Sequence, residues 1–283
     1  MPNDNHGLVS GIVAFYETHP LNESQILQAL EKAGKNVDAL APEDLFPLDQ
    51  DHYGGLEAVD VIAERARISA ESRVLDVCAG LGGPARYVAW RFGCDVTGID
   101  LTESRCRSAA RLTELVGLTD RVRFVHGDAA ALPFEDGSFT ACLSQEALVH
   151  VHARAAAIGE CFRVLAPGGR LAFTDWTAAA ELADADRERL ASGFSTGRIE
   201  SEKGYRSLLA AAGFADVEAE DLSASWRPIL RERLQMYRSL REETVARFGR
   251  DRYDEYDALY AFFVRLVDEG VLGGGRFSAR RPG

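Results

Sequence analysis

The sequence predicts an α/β fold in which a mostly parallel sheet of seven strands is covered by helices on both faces. From residue 73 to residue 176, short apolar segments alternate with segments that are predicted to be helical. Continuous apolar strands that alternate with helices are typical of a parallel sheet buried on both faces. The 283 residues, 46% hydrophobic and 27% charged, suffice for one such domain with added helices.

The first 70 residues are predicted to form a helical extension that covers the main domain as a lid. Ser24 is expected to cap a helix that ends at Gly34. A segment punctuated by proline and glycine follows and leads to an apolar helix at 56–66.

Residues 71–283 are predicted to form the main domain, with a helical insertion at about 226–270 before the last strand. Such an insertion would lie over the carboxyl ends of the strands, where open α/β sheets bind ligands. The last strand is expected at an edge of the sheet. The strands are predicted at 74–79, 95–100, 122–128, 139–145, 170–176, 214–221 and 273–281.

The charge and cysteine content exclude several classes of protein. A net charge of −12 without a basic cluster argues against a nucleic-acid partner. No apolar run approaches the roughly 20 residues that cross a bilayer, and the N-terminus has no signal-peptide pattern, so we expect no membrane association and a cytoplasmic location. The five cysteines lack metal-ligand or disulfide spacing and are expected to be reduced thiols, with no metal site.

A glycine-rich turn follows the first predicted strand, in the stretch from Asp76 to Gly83. Glycines at a strand-to-helix turn let the backbone approach a ligand closely. Gly80 to Ala85 also fits G-x-G-x-x-A, the dinucleotide fingerprint, so an NAD(P)-dependent oxidoreductase remains a distant alternative. Asp76 favours a cationic cofactor with an α-amino group, because a carboxylate there would repel a pyrophosphate.

Acidic residues end three successive predicted strands. Asp76 ends the first, Asp100 the second, and Asp128 the third. A carboxylate at the position of Asp100 can accept hydrogen bonds from both hydroxyls of a ribose. A carboxylate and a neighbouring backbone N–H at Asp128 can bind the edge of an adenine. We therefore predict that the three acids converge on one nucleoside ligand.

These motifs resemble those of class I S-adenosylmethionine (SAM)-dependent methyltransferases, a Rossmann-like fold family. Further segments extend the resemblance toward the sarcosine/dimethylglycine N-methyltransferase-like group of small-molecule enzymes. The family usually has glycine at the position of Cys78, where a cysteine costs little if the backbone φ is negative. The matching segments are VLDVCAGLGG, GIDLT, GDAAALPFEDGSF, RVLAPGGRLAFTD, SQEALVHV and YRSLLAAAGF.

The resemblance implies SAM as the cofactor and a set of residues that bind it. Asp76, Gly80 and Gly82, together with Ala79, would hold its amino-acid end. Asp100 and Leu101 would bind the ribose, and Asp128 with Ala129 the adenine. Gln145 would face the methionine and the methyl group.

The acceptor is predicted to be a small molecule. Methylation of an amine nitrogen is the leading prediction, and methylation of an oxygen or a carbon atom is the alternative. His150 is the candidate base or substrate contact, because histidine titrates near neutrality. A histidine that only orients the loop remains equally open. Tyr53, Glu146 and Trp176 are candidate substrate contacts, although the two aromatic residues also suit core packing. A homodimer is left open.

Overall fold

The computed structural model describes residues 11–14, 16–17, 21–179, 181–194, 196 and 198–283. In the described part of the chain the strands form one seven-stranded sheet in the order β3-β2-β1-β4-β5-β7-β6. Numbered along the chain, the strands are β1 (Arg73–Val77), β2 (Asp95–Asp100), β3 (Val122–His126), β4 (Phe139–Gln145), β5 (Leu165–Ala178), β6 (Ala215–Asp221) and β7 (Leu272–Arg280).

The sheet is parallel from β3 to β5, and β7 pairs antiparallel with both β5 and β6. The predicted fold class is therefore confirmed. The predicted edge position of the last strand is wrong, since β7 lies between β5 and β6 and β6 forms the edge. The register of β7 explains its central place, because it pairs with β5 from Arg170 to Ala178 on one side and with β6 on the other.

Helices cover both faces of the sheet, and a 3-10 turn, Leu148–His150, follows β4. One apolar cluster contains Leu75, Phe173 and Phe277, and a second, which includes Val59, Val74 and Val88, packs helices against other strand residues. Residues 11–14 and 16–17 are helical. The α-helices that follow are Glu23–Lys32, Pro42–Leu45, Gly55–Arg65, Gly83–Phe92, Glu103–Leu115, Arg154–Val164, Asp184–Gly193, Glu202–Ala211, Ser223–Ser239, Arg241–Phe248 and Arg250–Asp268.

The first described capping residue differs from the prediction. Asn22, not Ser24, is the N-cap of the helix Glu23–Lys32, and its side-chain oxygen accepts a hydrogen bond from the Gln25 N–H at 3.1 Å. Both residue types satisfy the free N–H groups of a first helical turn. The helix therefore begins two residues before the position that the sequence favoured.

The helices between β6 and β7 pack against the carboxyl end of β5. Leu230 and Phe263 from these helices bury Trp176 in a shared apolar cluster with Leu272 of β7. The predicted insertion at about 226–270 falls on these helices, while the domain boundaries themselves stay predictions.

The N-terminal segment is attached to the main domain by a buried ion pair. Arg86 and Asp49 are joined at 2.8 Å with both side chains fully buried. Arg86 also donates to the Leu81 carbonyl at 2.7 Å in the glycine-rich turn. Because an unpaired buried charge is costly, this pair fixes residues 42–50 over the turn.

Two searches of the described residues bear on membranes and metals. None of the described helices is both long and apolar enough to span a bilayer. Within the same residues, no group of three or more histidine, cysteine or acidic side chains is placed to hold a metal ion.

Candidate cofactor and acceptor site

A cavity opens at the carboxyl edge of the sheet, between β1 and β4. The strand order reverses there, since β1 lies between β2 and β4, and such a reversal is where open α/β sheets bind ligands. The predicted residues that line the cavity are Asp76, Ala79, Gly80, Asp100, Leu101, Asp128, Ala129, Gln145, Glu146 and His150.

The glycine-rich turn places its two predicted glycines in different roles. Gly80 has φ of 55°, and a Cβ at this position would meet nothing within 4 Å, so the backbone faces open space in the cavity. Gly82 has φ of 77°, and a Cβ there would lie 2.3 Å from the Phe124 ring. Gly82 is not among the residues that line the cavity. The structure therefore shows a packing role for Gly82, and its contact with the cofactor stays a prediction.

Cys78 does not meet the condition of a negative φ under which a cysteine costs little. Its φ is 61°, in the left-handed region, and its side chain lines the cavity. A residue with a Cβ in this region is strained by about 1–2 kcal/mol. The position thus has the backbone conformation that favours glycine, which is the residue usual in the resembling family.

We expect the variant Cys78→Gly to be more stable than Cys78→Ala by about 1 kcal/mol. Both variants remove the sulfur, but only glycine relieves the left-handed strain. Urea unfolding of the two purified variants measures the difference. Equal stability, or a more stable alanine variant, would show that the backbone at this position is not strained.

Asp100 is held rigidly at the end of β2. Its Oδ2 accepts a hydrogen bond from the Gly80 N–H at 2.9 Å, and its Oδ1 accepts one from the Thr102 N–H at 2.8 Å. Burial raises the pKa of Asp100, while these backbone hydrogen bonds oppose the rise. Each carboxylate oxygen retains a second lone pair, so the group can accept two further hydrogen bonds from a ligand in the cavity.

Asp76 is buried beside Asp100 at the end of β1. Burial, and secondarily the charge of Asp100, raises the pKa of Asp76 to about 7. Its Oδ2 accepts no hydrogen bond from any residue that the structure describes. A buried oxygen without a partner costs free energy, and a cationic ligand at this place would supply the missing donor.

We expect S-adenosylhomocysteine to bind about fivefold more tightly at pH 7 than at pH 6. A raised pKa means that Asp76 becomes ionised over this interval, and only the carboxylate attracts the ligand's α-ammonium group. Titration calorimetry at several pH values measures the affinity. The variant Asp76→Asn should bind weakly and without this pH dependence, whereas a pH-independent affinity in the unmodified chain would contradict the assignment.

Asp128 lies two residues beyond β3 and is exposed to solvent at the rim of the cavity. Its Oδ1 accepts a hydrogen bond from the Ala130 N–H at 2.8 Å, which closes a turn in the backbone. The following Ala129 is buried in an apolar cluster. Both residues line the cavity.

The part of the cavity beyond β4 contains polar groups without partners. Gln145 has no hydrogen bond to either side-chain atom within the described residues. Glu146 accepts a hydrogen bond from the Tyr53 N–H at 2.8 Å through Oε2, and Oε1 completes none with the described residues. Burial raises the pKa of Glu146 to about 7. Glu146 also has a left-handed φ of 47°, a strain that often marks functional sites.

His150 ends the 3-10 turn and is 5% exposed. Its ring contacts Phe194, with centroids 4.5 Å apart, and Tyr16, with centroids 5.5 Å apart. The imidazole therefore lies between two aromatic rings at the cavity wall. Its predicted role as a base is untested by this geometry, and the residue lines the same cavity as Glu146.

Tyr53 and Trp176 do not line the cavity. Their rings pack edge to face at 5.6 Å, and Trp226 contacts both. Trp176 is 2% exposed, so the structure supports the core-packing reading that the sequence left open for it. Tyr53 reaches the site through its backbone N–H instead, by the hydrogen bond to Glu146.

The sequence did not single out Tyr16, Asp51 and Arg105, which also line the cavity. Arg105 lies over the Tyr16 ring at 5.0 Å and approaches Asp51 at 3.8 Å. Arg105 looked like an ordinary helix residue because helical spacing alone does not show which face meets a ligand. Tyr16 stood in a segment without a recognisable motif.

The residues present fit SAM. Among the charged residues of the described lining, the acidic side chains outnumber the single arginine, Arg105, which suits a cationic ligand. Asp76 can hold an ammonium group, and Asp100 can hold two ribose hydroxyls. The acidic lining residues are Asp49, Asp51, Asp76, Asp100, Asp128 and Glu146.

Comparisons with known proteins agree with this fold. A family model described as a methyltransferase domain matches residues 75–173. The chain is 31% identical over 226 residues to 27-O-demethylrifamycin SV methyltransferase from Amycolatopsis mediterranei, covering 79% of this chain and 82% of that protein. It is also 31% identical over 195 residues to glycine/sarcosine/dimethylglycine N-methyltransferase from Actinopolyspora halophila.

The N-methyltransferase relatives are longer proteins. The match covers 69% of this chain but 34% of the Actinopolyspora halophila protein. For phosphoethanolamine N-methyltransferase 1 from Arabidopsis thaliana, 29% identical over 207 residues, the match covers 71% of this chain and 40% of the relative. The chain thus spans about a third to two fifths of the length of these two relatives.

Two solved structures extend the comparison to the whole fold. A putative sarcosine dimethylglycine methyltransferase from Galdieria sulphuraria has a TM-score of 0.76 at 18% identity, covering 92% of this chain and 98% of that one. The [4+2]-cyclase SpnF has a TM-score of 0.70 at 28% identity, covering 80% of this chain and 81% of that one. The chain belongs to the SAM-dependent methyltransferase family, whose cofactor is SAM.

Proposed function

We propose that this chain transfers a methyl group from SAM to a small-molecule acceptor, with an amine nitrogen as the first candidate nucleophile. One observation carries the proposal: buried polar groups without partners on Asp76, Gln145 and Glu146 line one acidic cavity. The acidic lining would concentrate cationic ligands. The N-methyltransferase relatives support an amine acceptor.

SAM, when bound, supplies an electrophilic methyl group whose sulfonium is its own leaving group. The chain then has to orient the acceptor and manage its proton. Glu146 and His150 both follow β4 along the chain and line the cavity. A carboxylate with a pKa of about 7 can hold a protonated amine near neutral pH. His150 can take a proton from the nucleophile.

A labelled methyl donor with matched acceptors tests the proposal. Each amine, including phosphoethanolamine and sarcosine, is offered beside an analogue that carries a hydroxyl in place of the amine. The proposal expects S-adenosylhomocysteine and a methylated amine, with little product from the hydroxyl analogue. Product from hydroxyl acceptors alone would overturn the amine preference in favour of O-methylation.

O-methylation is a second candidate because the relative from Amycolatopsis mediterranei, 82% of whose length the match covers, acts on 27-O-demethylrifamycin SV. A third is a protein that binds SAM without transferring its methyl group, favoured by the likeness to a [4+2]-cyclase. The same assay separates this candidate, since tight SAM binding without S-adenosylhomocysteine from any acceptor would contradict methyl transfer.

A further inference from the structure

We propose that Arg154 is a positioning residue that sets the place of His150, an inference that rests on the proposed function. Arg154 begins the helix Arg154–Val164 and is 6% exposed. Its guanidinium donates to the Leu148 carbonyl at 2.8 Å and to the Val149 carbonyl at 2.8 Å. These are the two residues that precede His150 in the 3-10 turn.

A buried carboxylate also lies close to this turn. Asp175 is fully buried, and the Val149 N–H is close enough to lower its pKa. Asp175 is itself fixed by the Tyr205 hydroxyl at 2.6 Å and by the Trp176 N–H at 2.8 Å. The Val149 carbonyl is therefore bound by Arg154, and its N–H lies near the fixed carboxylate of Asp175.

The same guanidinium also contacts Arg198 and Glu200, which follow Phe194 along the chain. Arg154 Nη2 donates to the Arg198 carbonyl at 2.5 Å, and Nη1 lies 3.5 Å from Glu200 Oε1. Thr196 donates from its hydroxyl to the Val149 carbonyl at 2.8 Å. This segment follows Phe194, whose ring contacts His150.

Arg154 thus links the 3-10 turn, which ends at His150, to the residues that follow Phe194, whose ring contacts the His150 ring. Arginine suits this role because its planar fork offers five donors in fixed directions, whereas lysine offers a single flexible ammonium. Loss of the fork would let the turn and the segment move apart. An error of about 1 Å in the place of a catalytic group can cost 100-fold in rate.

We expect Arg154→Lys to lower kcat/KM for the acceptor by about 10- to 100-fold while leaving the dissociation constant of SAM unchanged. In a His150→Ala background the same substitution should lower the rate by less than about twofold, because the two residues act as one unit. A loss of equal size in both backgrounds would overturn the proposal, since it would show an effect independent of His150.

The matched control is Arg281→Lys. Arg281 also binds carbonyl groups through its guanidinium, those of Phe162 at 3.0 Å and Arg163 at 2.8 Å, but at the far end of the same helix. It should change stability without changing kcat/KM. If Arg154→Lys does not fold, Thr196→Val removes the hydroxyl that binds Val149 and should cause a smaller loss of the same kind.

A second readout needs no methyl transfer. The imidazole Cε1–H resonance of His150, recorded with S-adenosylhomocysteine bound, should shift in Arg154→Lys and not in Arg281→Lys. A shift together with an inactive unmodified chain would refute the proposed function alone. An unmoved resonance would refute the positioning role even if the chain transfers methyl groups.

Discussion

Replacing Asp100 with asparagine is expected to weaken SAM binding by about 100-fold, equivalent to about 2.8 kcal/mol. The variant loses the charged carboxylate that would accept hydrogen bonds from both ribose hydroxyls. Hydrogen bonds to charged groups contribute about 1.5–3 kcal/mol each. Because asparagine has a single side-chain oxygen, the variant also loses one of the two hydrogen bonds that hold the side chain, from the Gly80 N–H and the Thr102 N–H. Titration calorimetry with SAM measures the change.

Asp95→Asn is the matched control for this prediction. Asp95 begins the same strand, is exposed, and lies at the edge of the sheet opposite the cavity. SAM binding should be unchanged in this variant. Similar affinities of the Asp100 and Asp95 variants would remove Asp100 from the cofactor site.

The variant His150→Ala is expected to lower kcat by about 100- to 10,000-fold, the usual contribution of a general base. The dissociation constant of SAM should not change, because the proposal assigns His150 to the acceptor and Asp76 and Asp100 to the cofactor. Initial rates at saturating SAM and acceptor, together with titration calorimetry, measure the two quantities separately.

Added imidazole distinguishes a base from a residue that only orients the loop. Imidazole should restore part of the activity of His150→Ala if His150 takes a proton. His150→Phe keeps a ring against Tyr16 and Phe194 and should stay inactive. An active phenylalanine variant would show that His150 only packs against its neighbours. If His150→Ala weakened SAM binding as much as Asp100→Asn does, His150 would not belong to the acceptor side of the site.

The strand pattern predicted much of the fold because buried parallel strands are short, apolar and separated by turn residues. β2 and β4 have the predicted bounds, whereas β1 ends at Val77, because the chain leaves the sheet as it enters the glycine-rich turn. The place of β7 could not be predicted from its own sequence. It depends on pairing with both β5 and β6, which is a long-range property.

The candidate site was predicted best where residues end strands. Parallel strands present their carboxyl ends at one edge, so Asp76, Asp100 and Asp128 could be grouped from their positions alone. Their roles stay predictions. The roles of the aromatic residues were harder to predict, because a ring that lines a ligand cavity and a ring that packs in a core have the same helical or strand spacing.

Cys78 shows a further limit of the sequence. Its identity gave no sign of the left-handed backbone that the structure has at this position. The conformation is imposed by the turn around Gly80 and Gly82, both of which have positive φ. Backbone strain of this kind arises from the surrounding fold rather than from the residue itself.

A crystal structure with S-adenosylhomocysteine bound tests the central claim most directly. We predict that the ligand lies across the ends of β1 and β2, with its ammonium group at Asp76, its ribose hydroxyls at Asp100 and its adenine beside Asp128. Ligand density elsewhere, or a ribose that does not contact Asp100, would contradict this account of the site.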